Sequence, residues 1–488
     1  MDEGPKRNAP IAASSNDAAT RFDAQELASA AAGQLLRSGD RPASGGAVDS
    51  RLIEPGAIFF ALPGERTDGH RFLDAAVAAG AAALVVSEEL AAERLDELGS
   101  GGRVTIVRVA DAAEALRSVA GVYRQRFDPL VVGITGSMAK TSTKEQAAEV
   151  LEEDFSVLKS PANQNNEIGL PLALLQLRPQ HQVAVLEMGF YTIGEIALLA
   201  RLARPSIGVV TAVRGVHLSR AGSIEAIQAG KRELVEALPA DGWAVLNADD
   251  PRVLAMASAT PAQVLTYGFS DAADVRASDI RSLGADGMRF RLWLAGASFD
   301  VATPVLGRHG VHNALAAAAV ASLAGMGGHD IVRGLGRAFS MPHRSHIQRA
   351  GGWTILDDSY NASPDAVLAA LGLLAELPGR RIAVLGEMLE LGDTAAAEHR
   401  RVGAGAAAVV DQLVVVGHGA GGISDGAIAA GMDAGRIHQA GDRDEALAVL
   451  LALLRDGDSV LIKASRGAQL DLLVEQLVRA AGPGEGQA

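Results

Sequence analysis

The residues whose types and spacing most clearly suggest a chemical function lie in one stretch, VVGITGSMAKTSTK at residues 131–144. An apolar strand leads into a loop that contains glycine, and Lys140 and Thr141 then open a helix. This order builds a phosphate cradle, in which backbone N–H groups face the phosphates, the lysine reaches their oxygens and the threonine hydroxyl binds Mg²⁺. The strict pattern has glycine where this chain has Ile134 and Ala139, so a plain surface turn is the alternative. The flanking strand and long helix favour nucleotide binding.

Further polar side chains follow the apolar strands of the same region. Glu187 ends the strand VAVLEMG and His217 lies in the loop after the next strand, where metal ligands are found in parallel sheets. A strand-end cap and a structural histidine are the plainer alternatives. The position of Lys231 on a helix favours a solvated surface lysine. Asn163 and Asn166, in SPANQNNEIGLP, either hold polar groups of a ligand or cap turns.

Composition narrows the class of protein. The 488 residues suggest about three domains, and a hydrophobic content of 48% supplies a sizeable core. The net charge of −14 and the absence of a basic run argue against nucleic-acid partners. Without cysteine the chain has no disulfide, thiolate metal site or cysteine nucleophile. No apolar run reaches membrane-spanning length and residues 1–20 lack a secretory signal, so we expect a cytoplasmic protein, not inserted in a membrane, with a frayed start.

The succession of apolar runs predicts an α/β protein of three domains. Residues 1–129 read as a small α/β domain, which begins with a helix at 23–36 and ends where Asp128-Pro129 breaks a helix. Residues 130–345 read as a domain with a mostly parallel sheet and an antiparallel edge at 264–302. Residues 346–488 alternate strands and helices as Rossmann-like, doubly wound domains do. The predicted parallel strands of the middle domain are 131–135, 183–187, 207–211 and 243–247.

Read in order, these motifs resemble the Mur ligase family over about residues 45–480. VDSRLIEPGAIFFALPGERTDGHRF resembles the family's UDP-sugar-binding motif, ITGSMAKTSTK its ATP loop and GRHGVHNALAAAA its adenine-side motif. DDSYNASP is the most specific piece, because the ligases that add diaminopimelate or lysine carry a different sequence there. The resemblance implies an ATP-dependent ligase of peptidoglycan precursor synthesis that joins D-alanyl-D-alanine to UDP-N-acetylmuramoyl-tripeptide through an acyl phosphate. It implies a monomer without nucleic-acid partners.

The resemblance also implies roles for individual residues. The ATP phosphates would be bound by Gly136, Ser137, Lys140, Thr141 and Ser142. The rest of the nucleotide would meet Asn313 at adenine, with Arg344 and Asp358 on the C-terminal side. Mg²⁺ would be held by Thr141, Glu187 and His217, and Lys231 would be carbamylated by CO₂, which reverses its interpretation as a surface lysine. The catalytic set would be Lys140, Glu187, His217 and Lys231.

Two further groups would bind the organic substrates. Ser50 and Arg51 would hold the UDP-sugar, and Asn163 and Asn166 would line the site between domains. The incoming dipeptide or the acyl phosphate would be met by Tyr360, Asn361, Lys463, Ala464, Ser465 and Arg466.

The sequence departs from the family's usual residues at five small positions: Ala139, Ala162, Gly230, Gly310 and Ala464. None of these removes a charged group, so we expect an active enzyme with altered ATP affinity or an altered amine pocket. A Cβ at Ala139 would cost about 1–2 kcal/mol if the backbone there is left-handed. The alternatives are a related ligase with a different amine substrate and a nucleotide-binding protein without turnover. The sequence does not show the third residue of the tripeptide.

Overall fold

The computed structural model describes residues 17–64, 67–99, 101–215, 222–337 and 341–481. Contacts divide the chain into two compact units. The first unit holds the described residues up to Val131 together with Phe155–Met188 and Ala197–Pro205, and the second holds Val132–Asp154, Gly189–Ile196 and the described residues from Ser206 onward. The predicted domain boundaries after residues 129 and 345 stay predictions. Within the described ranges, no helix has the length and apolar character that crossing a membrane requires.

The chain begins with a five-stranded sheet in the first unit, ordered β1-β5-β4-β3-β2. Its strands are β1 (Gln34–Arg37), β2 (Gly46–Ala47), β3 (Ile58–Phe60), β4 (Ala83–Val86) and β5 (Thr105–Arg108). Its helices are α1 (Ala24–Ala30), α2 (Leu73–Ala78), α3 (Ala92–Leu98) and α4 (Ala112–Arg124). β1 is antiparallel to β5 and the other pairs are parallel.

The predicted helix at 23–36 is wrong in its second half. Asp23 caps α1 through its side chain, but the helix ends at Ala30. Ala32 has a φ of 50°, which an α-helix cannot continue through, and β1 then pairs with β5. A partner about seventy residues later in the chain therefore decides the structure of QLLR.

The middle of the chain carries the elements around the phosphate loop. Its strands are β6 (Leu130–Thr135), β7 (Val157–Lys159), β8 (Val183–Glu187), β9 (Ile207–Val210), β10 (Trp243–Asn247), β11 (Gln263–Gly268), β12 (Val275–Ser282), β13 (Met288–Leu294) and β14 (Ala297–Thr303). Its helices are α5 (Lys140–Leu151), α6 (Gly169–Leu174), α7 (Glu195–Ala203), α8 (Ile224–Glu236), α9 (Pro251–Leu254), α10 (Gly307–Leu323) and α11 (Gly328–Leu335).

These middle strands confirm the predicted mostly parallel sheet. In the second unit they follow the order β14-β13-β12-β11-β10-β9-β6, parallel from β6 to β12. Only β12, β13 and β14 pair antiparallel, so the predicted antiparallel edge is right for them and wrong for β11. In the first unit, β7 pairs parallel with β8. The alanines of α10, fully buried against α5 and the sheet, allow the close packing expected from so few aromatic residues.

The last segment forms a six-stranded sheet of order β15-β16-β20-β17-β18-β19. Its strands are β15 (His346–Ala350), β16 (Trp353–Asp357), β17 (Arg381–Gly386), β18 (Gln412–Val416), β19 (Ile437–Ala440) and β20 (Ser459–Lys463). Its helices are α12 (Pro364–Glu376), α13 (Ala395–Ala407), α14 (Gly421–Ala429), α15 (Arg443–Leu453) and α16 (Leu470–Ala480). Only β15 runs antiparallel, and apolar residues on both faces of the sheet form two cores. The predicted α/β class is confirmed; β15, α14 and β19 were missed.

Candidate active site

The phosphate loop joins β6 to α5 and is shaped by two residues with unusual backbone angles. Gly136 has a φ of 154°, and a Cβ there would lie 1.8 Å from Thr211 Oγ1, so only glycine fits. Ala139, the N-cap of α5, has φ 66° and ψ 0°, which is left-handed. The backbone at Ala139 is therefore left-handed, which is the condition under which its Cβ was expected to be costly, and glycine is the residue favoured there.

Hydrogen bonds from the next strands hold this loop in place. Thr211 Oγ1, just after β9, donates to the carbonyl of Met138 at 2.5 Å, and Asn247 Nδ2, at the end of β10, donates to the carbonyl of Thr211 at 2.7 Å. Ser137 N–H donates to the carbonyl of Ala212, and its hydroxyl bonds the backbone of the same segment. Sequence reasoning missed Thr211 and Asn247, although polar residues that follow parallel strands were the available signal.

Lys140 occupies the position expected of a phosphate-binding lysine. It opens α5, and its Nζ donates to the carbonyl of Gly136 at 2.8 Å, so the amine lies over the loop. Thr141 and Ser142 follow at the N-terminus of the helix and are partly exposed. A lysine, a hydroxyl and the positive end of a helix dipole therefore meet at one place in the second unit.

Lys231 lies on α8 and is buried, with 3% of its surface exposed. The surface interpretation that its spacing favoured is therefore wrong. Burial, helped by the charge of Lys140, holds the pKa of its amine well below the usual range. The Nζ lies 5.0 Å from the centre of the Phe190 ring, and the described residues offer it no carboxylate partner.

Glu187, at the end of β8 in the first unit, is a buried carboxylate with one oxygen unsatisfied. Its Oε1 accepts a hydrogen bond from Asn165 Nδ2 at 2.7 Å. Its Oε2 has no hydrogen-bond partner among the described residues, and the side chain is only 2% exposed. An unpaired carboxylate oxygen is costly to bury, so a cation is the natural partner for this atom.

The asparagines of the loop SPANQNNEIGLP have different contacts: one caps a turn and another holds Glu187. Asn166 Oδ1 accepts from the N–H groups of Ile168 and Gly169, so this oxygen caps the turn, and the predicted role of Asn166 in substrate binding stays a prediction. Asn163 is exposed. Asn165, which sequence reasoning passed over, is the one that holds Glu187. Ala162, in the same loop, has a φ of 44° and is another alanine in a left-handed position.

On the C-terminal side, the buried Lys463 forms an ion pair with Asp358, which is partly exposed. Lys463 Nζ lies 2.5 Å from Asp358 Oδ2 and also donates to the carbonyl of Asn361. Asp358 Oδ1 accepts from the N–H of Ser345 at 2.9 Å. The pair therefore fastens the loop after β16 to β20 and to the segment that precedes β15, and both carboxylate oxygens of Asp358 are in use.

The ring of Tyr360 contacts the guanidinium groups of two arginines. The guanidinium carbon of Arg344 is 4.0 Å from the centre of its ring, and that of Arg466 is 5.3 Å away. Arg466 also pairs with Asp471 and is largely exposed. Ser465 is buried and its hydroxyl accepts from the N–H of Leu389. Two cations thus lie against one aromatic ring, and the exposed Arg466 is accessible to an anionic group.

The remaining predicted residues are more scattered. Asn313 is buried on α10, with its Oδ1 3.5 Å from Thr143 Oγ1 on α5. Ser50 and Arg51 lie in the first unit, where Arg51 is 85% exposed and its hydrogen bond lowers the pKa of Asp49 to about 2. His217 lies outside the described residues.

Within the described ranges, Asp68, His70 and Glu88 are close enough together to suggest a metal site. His70 Nδ1 lies 2.7 Å from Asp68 Oδ1, and its Nε2 accepts from the N–H of Ser87 at 3.0 Å. Both ring nitrogens are therefore occupied by protein groups, and the cluster fastens the loop before α2 to the end of β4.

Models of known protein families match three successive parts of the chain. A model described as the catalytic domain of the Mur ligase family matches residues 44–124. A model of the Mur ligase middle domain matches residues 134–321, and one of the Mur ligase glutamate ligase domain matches residues 343–466.

Individual relatives match over most of their length. The UDP-N-acetylmuramoyl-tripeptide–D-alanyl-D-alanine ligase of Mycobacterium tuberculosis H37Rv is 39% identical over 471 residues, covering 88% of this chain and 91% of the relative. A crystal structure of MurF from Acinetobacter baumannii superposes with a TM-score of 0.83 at 30% identity, over 94% of this chain and 99% of its own. MurF ligase from Thermotoga maritima, solved with ADP, gives 0.77 at 27% identity, over 89% and 97%. The resemblance in the sequence is confirmed, and the chain belongs to the Mur ligase family.

Proposed function

We propose that this chain is an ATP-dependent ligase that joins D-alanyl-D-alanine to UDP-N-acetylmuramoyl-tripeptide in peptidoglycan precursor synthesis. The observation that carries the proposal is the phosphate loop with Lys140 over it and the buried Lys231 in the same unit. The relative from Mycobacterium tuberculosis is named for this reaction, and the Thermotoga maritima structure contains ADP, the product that ATP would leave.

The reaction needs an activated carboxyl group, because a carboxylate is a poor electrophile. An oxygen of the tripeptide carboxylate attacks the γ-phosphorus of ATP, ADP leaves, and an acyl phosphate forms. The amine of the dipeptide then attacks the acyl carbon, inorganic phosphate leaves, and the amine gives up a proton. Lys140 and the N-terminus of α5 would offset the negative charge on the phosphoryl oxygens in the first step.

Mg²⁺ is the second expected participant, and the residues present fit it. Glu187 Oε2 is buried without a donor among the described residues, and Thr141 carries a hydroxyl at the phosphate loop. The assignment of Mg²⁺ to Thr141, Glu187 and His217 comes from the resemblance to the family, and the unsatisfied oxygen supports it for Glu187. The ion would offset the charge of the phosphates, and Asn165 would fix the orientation of the Glu187 carboxylate.

We further propose that Lys231 is carbamylated. Its amine is buried and desolvated, which favours the neutral form that reacts with CO₂. The nitrogen forms a bond to the carbon of CO₂ and releases one proton, and the resulting carbamate carries a negative charge. The modified residue would supply a carboxylate-like group where the unmodified chain has an amine.

We assign the residues that bind the two organic substrates from the charge and exposure of their side chains. The exposed Arg51, next to Ser50, suits the phosphates of the UDP-sugar, and Asn163 extends the polar lining of the first unit. Arg466, which lies against Tyr360, suits the carboxylate of the incoming dipeptide, whereas Arg344, on the same ring, stays assigned to the nucleotide. A monomer in the cytoplasm stays the prediction for the state and location of the protein.

The test is the coupling of phosphate release to both organic substrates. With ATP, Mg²⁺, UDP-N-acetylmuramoyl-tripeptide and D-alanyl-D-alanine, we expect steady release of phosphate and a product one dipeptide heavier by mass spectrometry. Omission of either organic substrate should reduce the rate to a slow background, and Lys140→Ala is the inactive control. Rapid release with ATP and Mg²⁺ alone would contradict a ligase, and a product only with another amine would favour a related ligase.

A further inference from the structure

Gly230 occupies an interior position of α8, where glycine is unfavourable. The helix is regular from Ile224 to Glu236, and a glycine inside it costs about 1 kcal/mol relative to alanine. A Cβ at this position would lie 1.8 Å from Cε2 of Phe190, and 2.5 and 2.6 Å from two more atoms of the same ring. The ring therefore occupies the space of the missing methyl group, which explains the glycine.

The same ring also covers the neighbouring lysine. The Lys231 Nζ lies 5.0 Å from the centre of the Phe190 ring, within the range of a cation–π contact. Phe190 is 6% exposed and Lys231 is 3% exposed, so the ring and the amine shield each other from water. One aromatic side chain thus rests on the bare Cα of residue 230 and covers the amine of residue 231.

We propose that Phe190 is a positioning residue for Lys231, and that Gly230 is the notch in α8 that lets its ring reach the amine. The ring fixes where the amine lies and keeps water from it. The relevance to ligation rests on the proposed function, because there Lys231 must react with CO₂. The packing arrangement itself does not depend on that chemistry.

Two single substitutions should therefore have the same effect on Lys231 for different reasons. Phe190→Ala removes the ring, and Gly230→Ala drives the ring away, because a contact of 1.8 Å cannot persist beside an added methyl group. The double variant has neither ring nor collision, so it should behave like Phe190→Ala alone. Such a result is non-additive, as expected for residues in direct contact.

The first measurement is carbamate formation, followed by carbon-13 NMR with labelled bicarbonate and without ATP or peptide substrates. The half-saturating CO₂ concentration should rise several-fold, up to about ten-fold, in each single variant, because exposure to water favours the ammonium form and only the neutral amine reacts with CO₂. The lost contact with the ring face acts in the opposite sense, since that contact favours the ammonium form, and it keeps the rise within this range. High bicarbonate should restore the signal, which a misfolded helix would not allow. Equal half-saturation in wild type and both variants would overturn the proposal, as would effects that add in the double variant.

A matched control lies in the same unit. In Gly328→Ala the new methyl group would lie 2.2 Å from Cζ of Phe299, a similar glycine–phenylalanine contact at the start of α11. Neither α11 nor β14 contains a lysine. This variant should lose comparable stability but leave carbamate formation unchanged. A rise in half-saturating CO₂ in Gly328→Ala equal to that in Gly230→Ala would show that general loosening, rather than the ring over Lys231, is responsible.

A second measurement separates this proposal from the proposed carbamylation. In CO₂-free buffer, lysine labelling with acetic anhydride across a pH series reports when the Lys231 amine becomes reactive, with Lys159 as the internal reference. Exposure to water favours the ammonium form, so the pH of half-maximal reactivity should rise in Phe190→Ala and Gly230→Ala. The charge of Lys140, which also faces Lys231, is unchanged in all variants. If this shift occurs while wild type forms no carbamate, carbamylation is refuted and the positioning role stands; without the shift, the positioning role is refuted.

Discussion

Replacement of Ala139 by glycine should strengthen ATP binding. The left-handed backbone at Ala139, with φ 66°, costs about 1–2 kcal/mol for a residue with a Cβ. Glycine removes that cost, which corresponds to at most about a thirty-fold gain in affinity. The protein's own hydrogen bonds from Thr211 and Ser137 already hold the loop, so part of the strain is present without nucleotide. We therefore expect a gain of a few-fold, towards the lower end of that range.

The part of the backbone strain at residue 139 that does not increase the affinity for ATP should instead increase the free energy of unfolding. Glycine also loosens the unfolded chain, which costs about 0.4–1 kcal/mol, so the unfolding free energy should change by between zero and about +1.6 kcal/mol. Titration calorimetry measures the affinity for ATP, and thermal unfolding of the same samples measures the stability. The affinity for the dipeptide should stay the same, because its assigned surface lies in the C-terminal segment.

Ala295→Gly is the matched control for this experiment. Ala295 has a φ of 50° in the turn between β13 and β14, so the same strain is relieved away from the phosphate loop. Its stability should rise as much, with no change in ATP affinity. If Ala139→Gly changed neither affinity nor stability while Ala295→Gly gained stability, the loop would have a different backbone conformation from the one described.

Two further substitutions test the assigned roles of buried polar groups. Lys231→Arg keeps a cation but cannot form a carbamate, so ligase activity should fall at least about a hundred-fold. Lys231→Ala should regain part of its activity when acetate is added. Near-wild-type activity of Lys231→Arg would contradict the carbamate. Asn165→Ala frees Glu187 Oε1 and should raise the Mg²⁺ concentration for half-maximal activity about ten-fold. Asn163→Ala, at an exposed neighbour assigned to the organic substrate, should leave this Mg²⁺ concentration unchanged, and equal values for wild type, Asn165→Ala and Asn163→Ala would remove Asn165 from the site.

The phosphate loop and the fold class were predictable because their signals are local. A strand, a glycine loop and Lys140-Thr141 lie within fourteen residues, and the alternation of apolar runs with helical patterns needs no distant contact. Ala139 was also recognisable as an unusual residue, because it stands where the motif has glycine, but its left-handed backbone was a condition of that argument and became known only from the structure. The two covalent neighbours of this loop, β6 and α5, appeared close to their predicted bounds.

What the sequence could not supply depends on contacts between distant residues. Lys231, on α8, is covered by the ring of Phe190, which lies in the loop after β8, so helical spacing alone gave the wrong environment. QLLR became a strand because β5 offers it a partner. Among the three asparagines of one loop, only packing decides that Asn165, rather than Asn163 or Asn166, meets Glu187.

The hydrogen bonds of α4 have a consequence for the order of events during synthesis. The hydroxyl of Tyr123 donates to the carbonyl of Leu177, and Nε of Arg124 donates to the carbonyl of Ala203, acceptors that lie 54 and 79 residues further along the chain. A ribosome adds about 5–20 residues per second, so the second acceptor emerges roughly 4–16 s after its donor. During that interval the first sheet and α4 exist without the segments that complete their core. The nascent chain therefore presents unfinished apolar surface for several seconds, and that interval is when a chaperone holding the emerging chain would most improve its yield.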